Sequence, residues 1–124
     1  MKSIKLFLLI SIIAFMSGCN NGAKLDIREK KIYLRIKNNL PYKYFDITLQ
    51  NVGNKKLEIY NIKPSCKCII LKVEDTLIIN PNASRKVTVK FMNDEKTDAT
   101  ERIVIVSNSK SKIEFLTINK KVLE

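Results

Sequence analysis

Lys86-Val87-Thr88-Val89-Lys90-Phe91 is the stretch that decides the fold. Successive side chains of a strand point to opposite faces, so Val87, Val89 and Phe91 share one side and Lys86, Thr88 and Lys90 the other. Working back, Asn80-Pro81-Asn82 reads as a turn and Leu77-Ile78-Ile79 as a short strand, after an apolar run over 68–73. Leu57 and Ile59 lie in a strand that Pro64 interrupts, since proline cannot donate to a ladder. Asn51-Val52-Gly53-Asn54 is a turn in which Asn and Gly supply positive φ at little cost. Phe45, Ile47 and Leu49 alternate with polar residues, as do Ile32, Leu34 and Ile36. Working forward, 92–100 is a polar loop. Residues 103–106 are apolar on both faces and belong in the middle of a sheet. Ser107-Asn108-Ser109 turns, 113–118 closes the domain, and 120–124 reads as a fraying tail. About eight short strands with turns every 8–12 residues argue an all-β, immunoglobulin-like antiparallel β-sandwich of 7–8 strands over 31–122. No helical period is present that could serve an α/β crossover.

The first thirty residues have a different character. Lys2 and Lys5 precede an apolar run over 6–16. Eleven residues as a helix reach about 16 Å at ~1.5 Å per residue, short of the ~30 Å bilayer core. This fits the apolar region of a signal peptide. Met16-Ser17-Gly18-Cys19 resembles the bacterial lipoprotein box, with Met16 where the box prefers Leu. The resemblance implies cleavage of 1–18, diacylation of the Cys19 sulfur and a freed amine open to a further acyl chain. Covalent lipid on Cys19 is the only prosthetic group expected. Two or more chains hold a protein stably on a membrane. Residues 19–30 then read as a lipidated, flexible tether.

The chain carries 23 Lys and Arg against 12 Asp and Glu, a net charge of +11, and loss of 1–18 leaves about +9. Such a balance can favour anionic lipid or acidic partners. The lysines are spread singly or in pairs, however, as solvated faces would have them, and no block suggests nucleic acid. Catalysis is not expected and no catalytic residue is assigned. The chain has no histidine, the commonest general base, and only three glycines. The acidic pairs Glu74-Asp75 and Asp94-Glu95 read as solvated turns.

The order of short motifs adds a family resemblance. Asn51-Val-Gly-Asn-Lys-Lys-Leu57-Glu-Ile59 precedes Ser65-Cys66-Lys67-Cys68, then Ile79-Asn80-Pro81-Asn82, Val87-Thr-Val89-Lys-Phe91 and Ser107-Asn108. Together they resemble the domain of unknown function 1573 family, immunoglobulin-like domains of the bacterial envelope. The resemblance covers about 32–122 and implies a shape akin to PapD-like and sperm-protein-like sandwiches. Lys67 stands where the family commonly has Gly, and Asn82 where Gly follows Pro. Asn tolerates the left-handed region better than most residues. The family has no assigned activity, so the resemblance implies a fold and not a reaction.

With Cys19 lipidated, Cys66 and Cys68 are the remaining cysteines. Export favours a disulfide. Residues i and i+2 of a straight strand lie about 6.6 Å apart, at the upper edge of the ~4.4–6.8 Å range for bridged Cα atoms, so a bond requires a bend near Pro64-Ser65. A structural bridge, a buried thiol pair, a redox pair and a soft-metal site with Met92 as a third ligand all stay open. Two thiolates without histidine do not complete a zinc shell, and no metal is assigned.

The expectation is a lipid-anchored, non-enzymatic binding or scaffold module of the bacterial cell envelope, periplasmic or surface-facing. Its partner would be a protein or an envelope polymer, met through the 64–68 segment and the 92–100 loop. The alternative is a thiol redox or copper-handling protein using Cys66 and Cys68.

Overall fold

Residues 22–73 and 76–124 are described by the structure, a computed structural model. The expected signal peptide over 1–18, the lipidation residue Cys19 and the pair Glu74-Asp75 lie outside the described residues. Nine strands follow in order: β1 (Leu25–Ile27), β2 (Lys31–Lys37), β3 (Tyr42–Asn51), β4 (Leu57–Pro64), β5 (Ile69–Leu71), β6 (Leu77–Ile79), β7 (Ser84–Met92), β8 (Ala99–Ser107) and β9 (Ile113–Leu123). They form a four-stranded sheet, β1-β3-β7-β5, and a five-stranded sheet, β2-β9-β8-β4-β6.

The alternation sets the core. Val87, Val89 and Phe91 of β7 and Ile47 and Leu49 of β3 point inward and meet Ile103 and Ile105 of β8 and Leu116 and Ile118 of β9. Nineteen apolar side chains are buried among the described residues. Each contributes about 1.5–3 kcal/mol when a Val, Leu, Ile or Phe is fully buried. β8 lies third of five, where its apolar run placed it. Asn82 has φ 63°, the left-handed conformation in which Asn replaces Gly most readily.

Several expectations are corrected. The flexible tether expected over 19–30 does not extend through Gly22 and beyond. Leu25, Asp26 and Ile27 pair with Asn51, Gln50 and Leu49, and Ala23, Leu25 and Ile27 are buried. The ordered body therefore begins before residue 31. The tail does not fray: β9 continues to Leu123 because β2 pairs alongside it, Lys31 with Thr117 through to Lys37 with Leu123. That pairing is parallel, so the sandwich is not wholly antiparallel. Pro64 ends β4 rather than interrupting it. The Ser65 N–H donates to the Arg102 carbonyl (2.8 Å), which leaves Pro64 opposite Ile103 at a place where no N–H is required. Gly53 is needed for close approach and not for positive φ. A Cβ there would run into the Gly22 carbonyl oxygen and lie 2.7 Å from the Lys24 nitrogen.

Glu114, two residues before Leu116, also points inward. Its Oε2 is buried with no hydrogen-bond partner among the described residues. Burial holds the carboxyl above the ordinary carboxylate range, with Lys30 opposing, Asp26 adding and Lys24 opposing. Folding therefore favours the protonated form. Destabilisation is absent at pH below the unfolded pKa and reaches its full value once pH exceeds the folded one. Glu114→Gln should raise the melting temperature at pH 7 and leave it unchanged at pH 3. An equal shift at both pH values would show that the charge is not responsible.

Candidate binding surfaces

The segment leaving β4 turns sharply to enter β5, and the turn brings Cys66 and Cys68 together. Their Cα atoms are 5.1 Å apart and a disulfide joins them. The bend that the bridge needed lies at residues 65–68. Both sheets pin it. The Met92 N–H donates to the Cys68 carbonyl (2.7 Å) and the Ile69 N–H to the Cys66 carbonyl (3.2 Å). The Ser65 hydroxyl donates to Glu101 Oε2 (2.6 Å) and accepts from the Arg102 N–H (2.8 Å).

The 64–68 segment and the 92–100 loop, expected as separate contact elements, share one corner. Between them is a cleft of about 280 Å³, lined among others by Cys66, Cys68, Met92, Glu95, Glu101 and Lys120. Phe91 forms its inner wall. Lys120 is only 6% exposed. Its Nζ donates to Asn93 Oδ1 (3.3 Å) and lies 5.4 Å from the centre of the Phe91 ring. One oxygen of Glu101 and the two sulfurs all lie within 4.8 Å of one another. Asp94 and Glu95, read as a solvated turn, are exposed at the rim.

The outer face of the five-stranded sheet is a second surface. Ile103 and Ile105 point into the core, so Val104 and Val106 point out. Beside them stand Ile113, 67% exposed, and Phe115, 50% exposed. The Arg102 guanidinium lies 5.0 Å from the centre of the Phe115 ring. This explains why 103–106 is apolar on both faces although only one face is core. Basic residues surround the apolar centre: Lys31, Arg35 and Lys37 on β2, Lys63 on β4, Arg102 on β8 and Lys121 on β9, against the single acid Glu58. The opposite sheet has no such bias, since its outward Lys86 and Lys90 are matched by Asp26 and Asp46. Lys90 there sits over Tyr42, 4.2 Å from the ring centre.

Two facing sheets in these strand orders define an immunoglobulin-like sandwich of the PapD-like kind. The chain belongs to the family described as Protein of unknown function (DUF1573), whose pattern matches residues 26–122. No curated protein matches it in sequence. Among solved structures, a protein of unknown function from Porphyromonas gingivalis W83 is similar over 80% of this chain and 46% of its own, with TM-score 0.70 and 12% identity. This chain thus spans less than half of that protein's length. PapD-like domain 7 of human CEP192 is similar over 82% of this chain and 86% of its own, with TM-score 0.66 and 11% identity. The YadV chaperone is similar over 82% of this chain and 53% of its own, with TM-score 0.64 and 8% identity. At these identities the likeness is one of fold.

Proposed function

We propose that the chain is a lipid-anchored, non-enzymatic binding module of a bacterial cell envelope. The outer face of the five-stranded sheet takes a protein segment that presents apolar side chains flanked by carboxylates. The observation that carries the reading is that face, apolar at its centre and ringed by six basic residues with one acid. Exposed apolar patches with polar rims mark interaction surfaces, and complementary charge selects and steers the partner. An envelope polymer alone would satisfy the charges and leave Val104, Val106, Ile113 and Phe115 in water. A second copy of the chain is disfavoured, because pairing this face with itself would oppose like charges. The anchor is supported by Lys2, Lys5, the apolar run over 6–16 and the box ending at Cys19. The non-enzymatic reading is supported by the lack of histidine in the chain.

The test places a photo-crosslinking residue at Val104 or, as control, at Thr88 on the other sheet, in intact bacterial cells. Position 104 should give one discrete protein adduct in the membrane fraction, and Thr88 none. Arg102→Glu with Lys63→Glu should abolish the adduct, and Cys19→Ser should release the protein from membranes. Equal adducts from both positions, or indifference to charge reversal, would overturn the binding face. Membrane retention of the Cys19→Ser protein would overturn the anchor.

A further inference from the structure

The Cys66–Cys68 bridge does little that a structural disulfide does. A cross-link stabilises mainly by constraining the unfolded chain, and more so for long loops. This one spans a single residue, and the core closes beside it with nineteen buried apolar side chains. What the bridge does have is a held position. Both sheets fix its backbone, and its sulfurs lie beside a carboxylate in a cleft that also holds an ammonium group.

We infer that this corner is a redox-gated site for a soft monovalent cation, Cu(I), bound by the Cys66 and Cys68 sulfurs once the disulfide is opened; Met92, which the sequence offered as a third ligand, lies on the outward face of β7 and meets the turn through its backbone. An external dithiol attacks one sulfur and forms a mixed disulfide. Its second thiol then displaces that bond, so the donor leaves as a disulfide. Two electrons pass to the bridge and two protons end on the Cys66 and Cys68 thiols. Binding of Cu(I) releases both protons to solvent.

Soft thiolate ligands suit Cu(I). Zinc needs a tetrahedral shell, and the corner offers two thiols and one carboxylate without histidine. One Glu101 oxygen is already held by the Ser65 hydroxyl. A dithiolate with one Cu(I) carries a net charge of −1, which the Lys120 ammonium in the same cleft offsets. The three backbone hydrogen bonds around the turn and the Arg102 N–H bond to the Ser65 hydroxyl do not involve the S–S bond, so the thiols stay close after reduction. The site lies apart from the face proposed for the protein partner and does not depend on it.

The test uses the full chain carrying Cys19→Ser, so that two thiols remain. The protein is reduced with a phosphine, freed of reductant without oxygen, and titrated with Cu(I) against a chromogenic Cu(I) chelator. Reduced protein should hold one Cu(I) per chain with a thiolate-to-copper absorption band in the ultraviolet, and oxidised protein none. Cys66→Ser with Cys68→Ser should lose the metal while keeping the wild-type circular-dichroism spectrum. The inference is overturned if reduced protein binds no Cu(I), if oxidised protein binds equally, if the double serine variant retains copper, or if Zn(II) displaces Cu(I) stoichiometrically.

Discussion

Phe91→Ala is expected to cost about 3–5 kcal/mol of folding stability, the range for deleting a buried aromatic side chain. For a domain of this size that lowers the melting temperature by roughly 15–30 °C. Phe91 is fully buried at the inward position of β7. It sits between Lys43 on β3 and Ile69 on β5 in register, with the Lys120 ammonium near its ring. No neighbour can fill the space without leaving its own strand, so most of the cavity remains. The same ring walls the cysteine cleft, and its loss would enlarge that cleft from behind. Phe91→Leu should cost less than half as much. Thermal melts followed by circular dichroism decide the point, and a drop under about 5 °C for the alanine variant would show that the core collapses to compensate.

Asn51→Ala comes next, at about 2–4 kcal/mol. The side chain is fully buried and joins four segments. Its Nδ2 donates to the carbonyls of Lys55 (2.7 Å) and Ile79 (3.0 Å). Its Oδ1 accepts from the N–H groups of Gly53 (3.0 Å) and Lys24 (3.3 Å). Alanine leaves buried groups without partners, each costing about 1–3 kcal/mol. Asn51→Asp is the informative control. It keeps the shape and the acceptor but turns a second oxygen toward two carbonyls, so it should destabilise as well. Hydrogen exchange should also show protection lost at Lys24 and Val52, because the Val52 N–H donates to the Lys24 carbonyl beside this hub. Unchanged protection there would separate Asn51 from the docking of β1.

How much of this was legible depends on strand length and on what alternation encodes. β2, β3 and β7 were readable because seven or more residues alternate against polar neighbours. Leu25-Asp26-Ile27 is too short for a period and sits in polar surroundings, so β1 read as tether. The parallel pairing of β2 with β9 could not be read, since a period of two gives the facing of a strand and not the direction of its neighbour. The polar residues that matter most follow a rule the sequence did contain. Asn51 continues Ile47 and Leu49, Lys120 continues Leu116 and Ile118, and Glu101 precedes Ile103 and Ile105, each by two residues. All three lie on the inward face: Asn51 at the end of β3, Glu101 between Ala99 and Ile103 on β8, and Lys120 between Ile118 and Val122 on β9. Carrying the alternation on through polar positions would have marked them. The basic face escaped notice for the opposite reason: its members lie on four strands and meet only across the sheet.

Were the chain anchored through Cys19 as proposed, the docking of residues 22–27 would set a height and an attitude. Two residues separate Cys19 from Gly22, three steps of the chain and a span of about 10 Å at most. A body held by fatty chains at Cys19 would thus stand almost against the lipid headgroups. The turns beside Gly22 would face downward, bringing the exposed Lys24, Lys55, Lys56, Lys110 and Lys112 toward the phosphates. Each lysine near an anionic surface would contribute about 1 kcal/mol to that attitude. The cysteine corner lies at the opposite pole, roughly 30 Å higher for a strand of β3's length, and would open away from the bilayer.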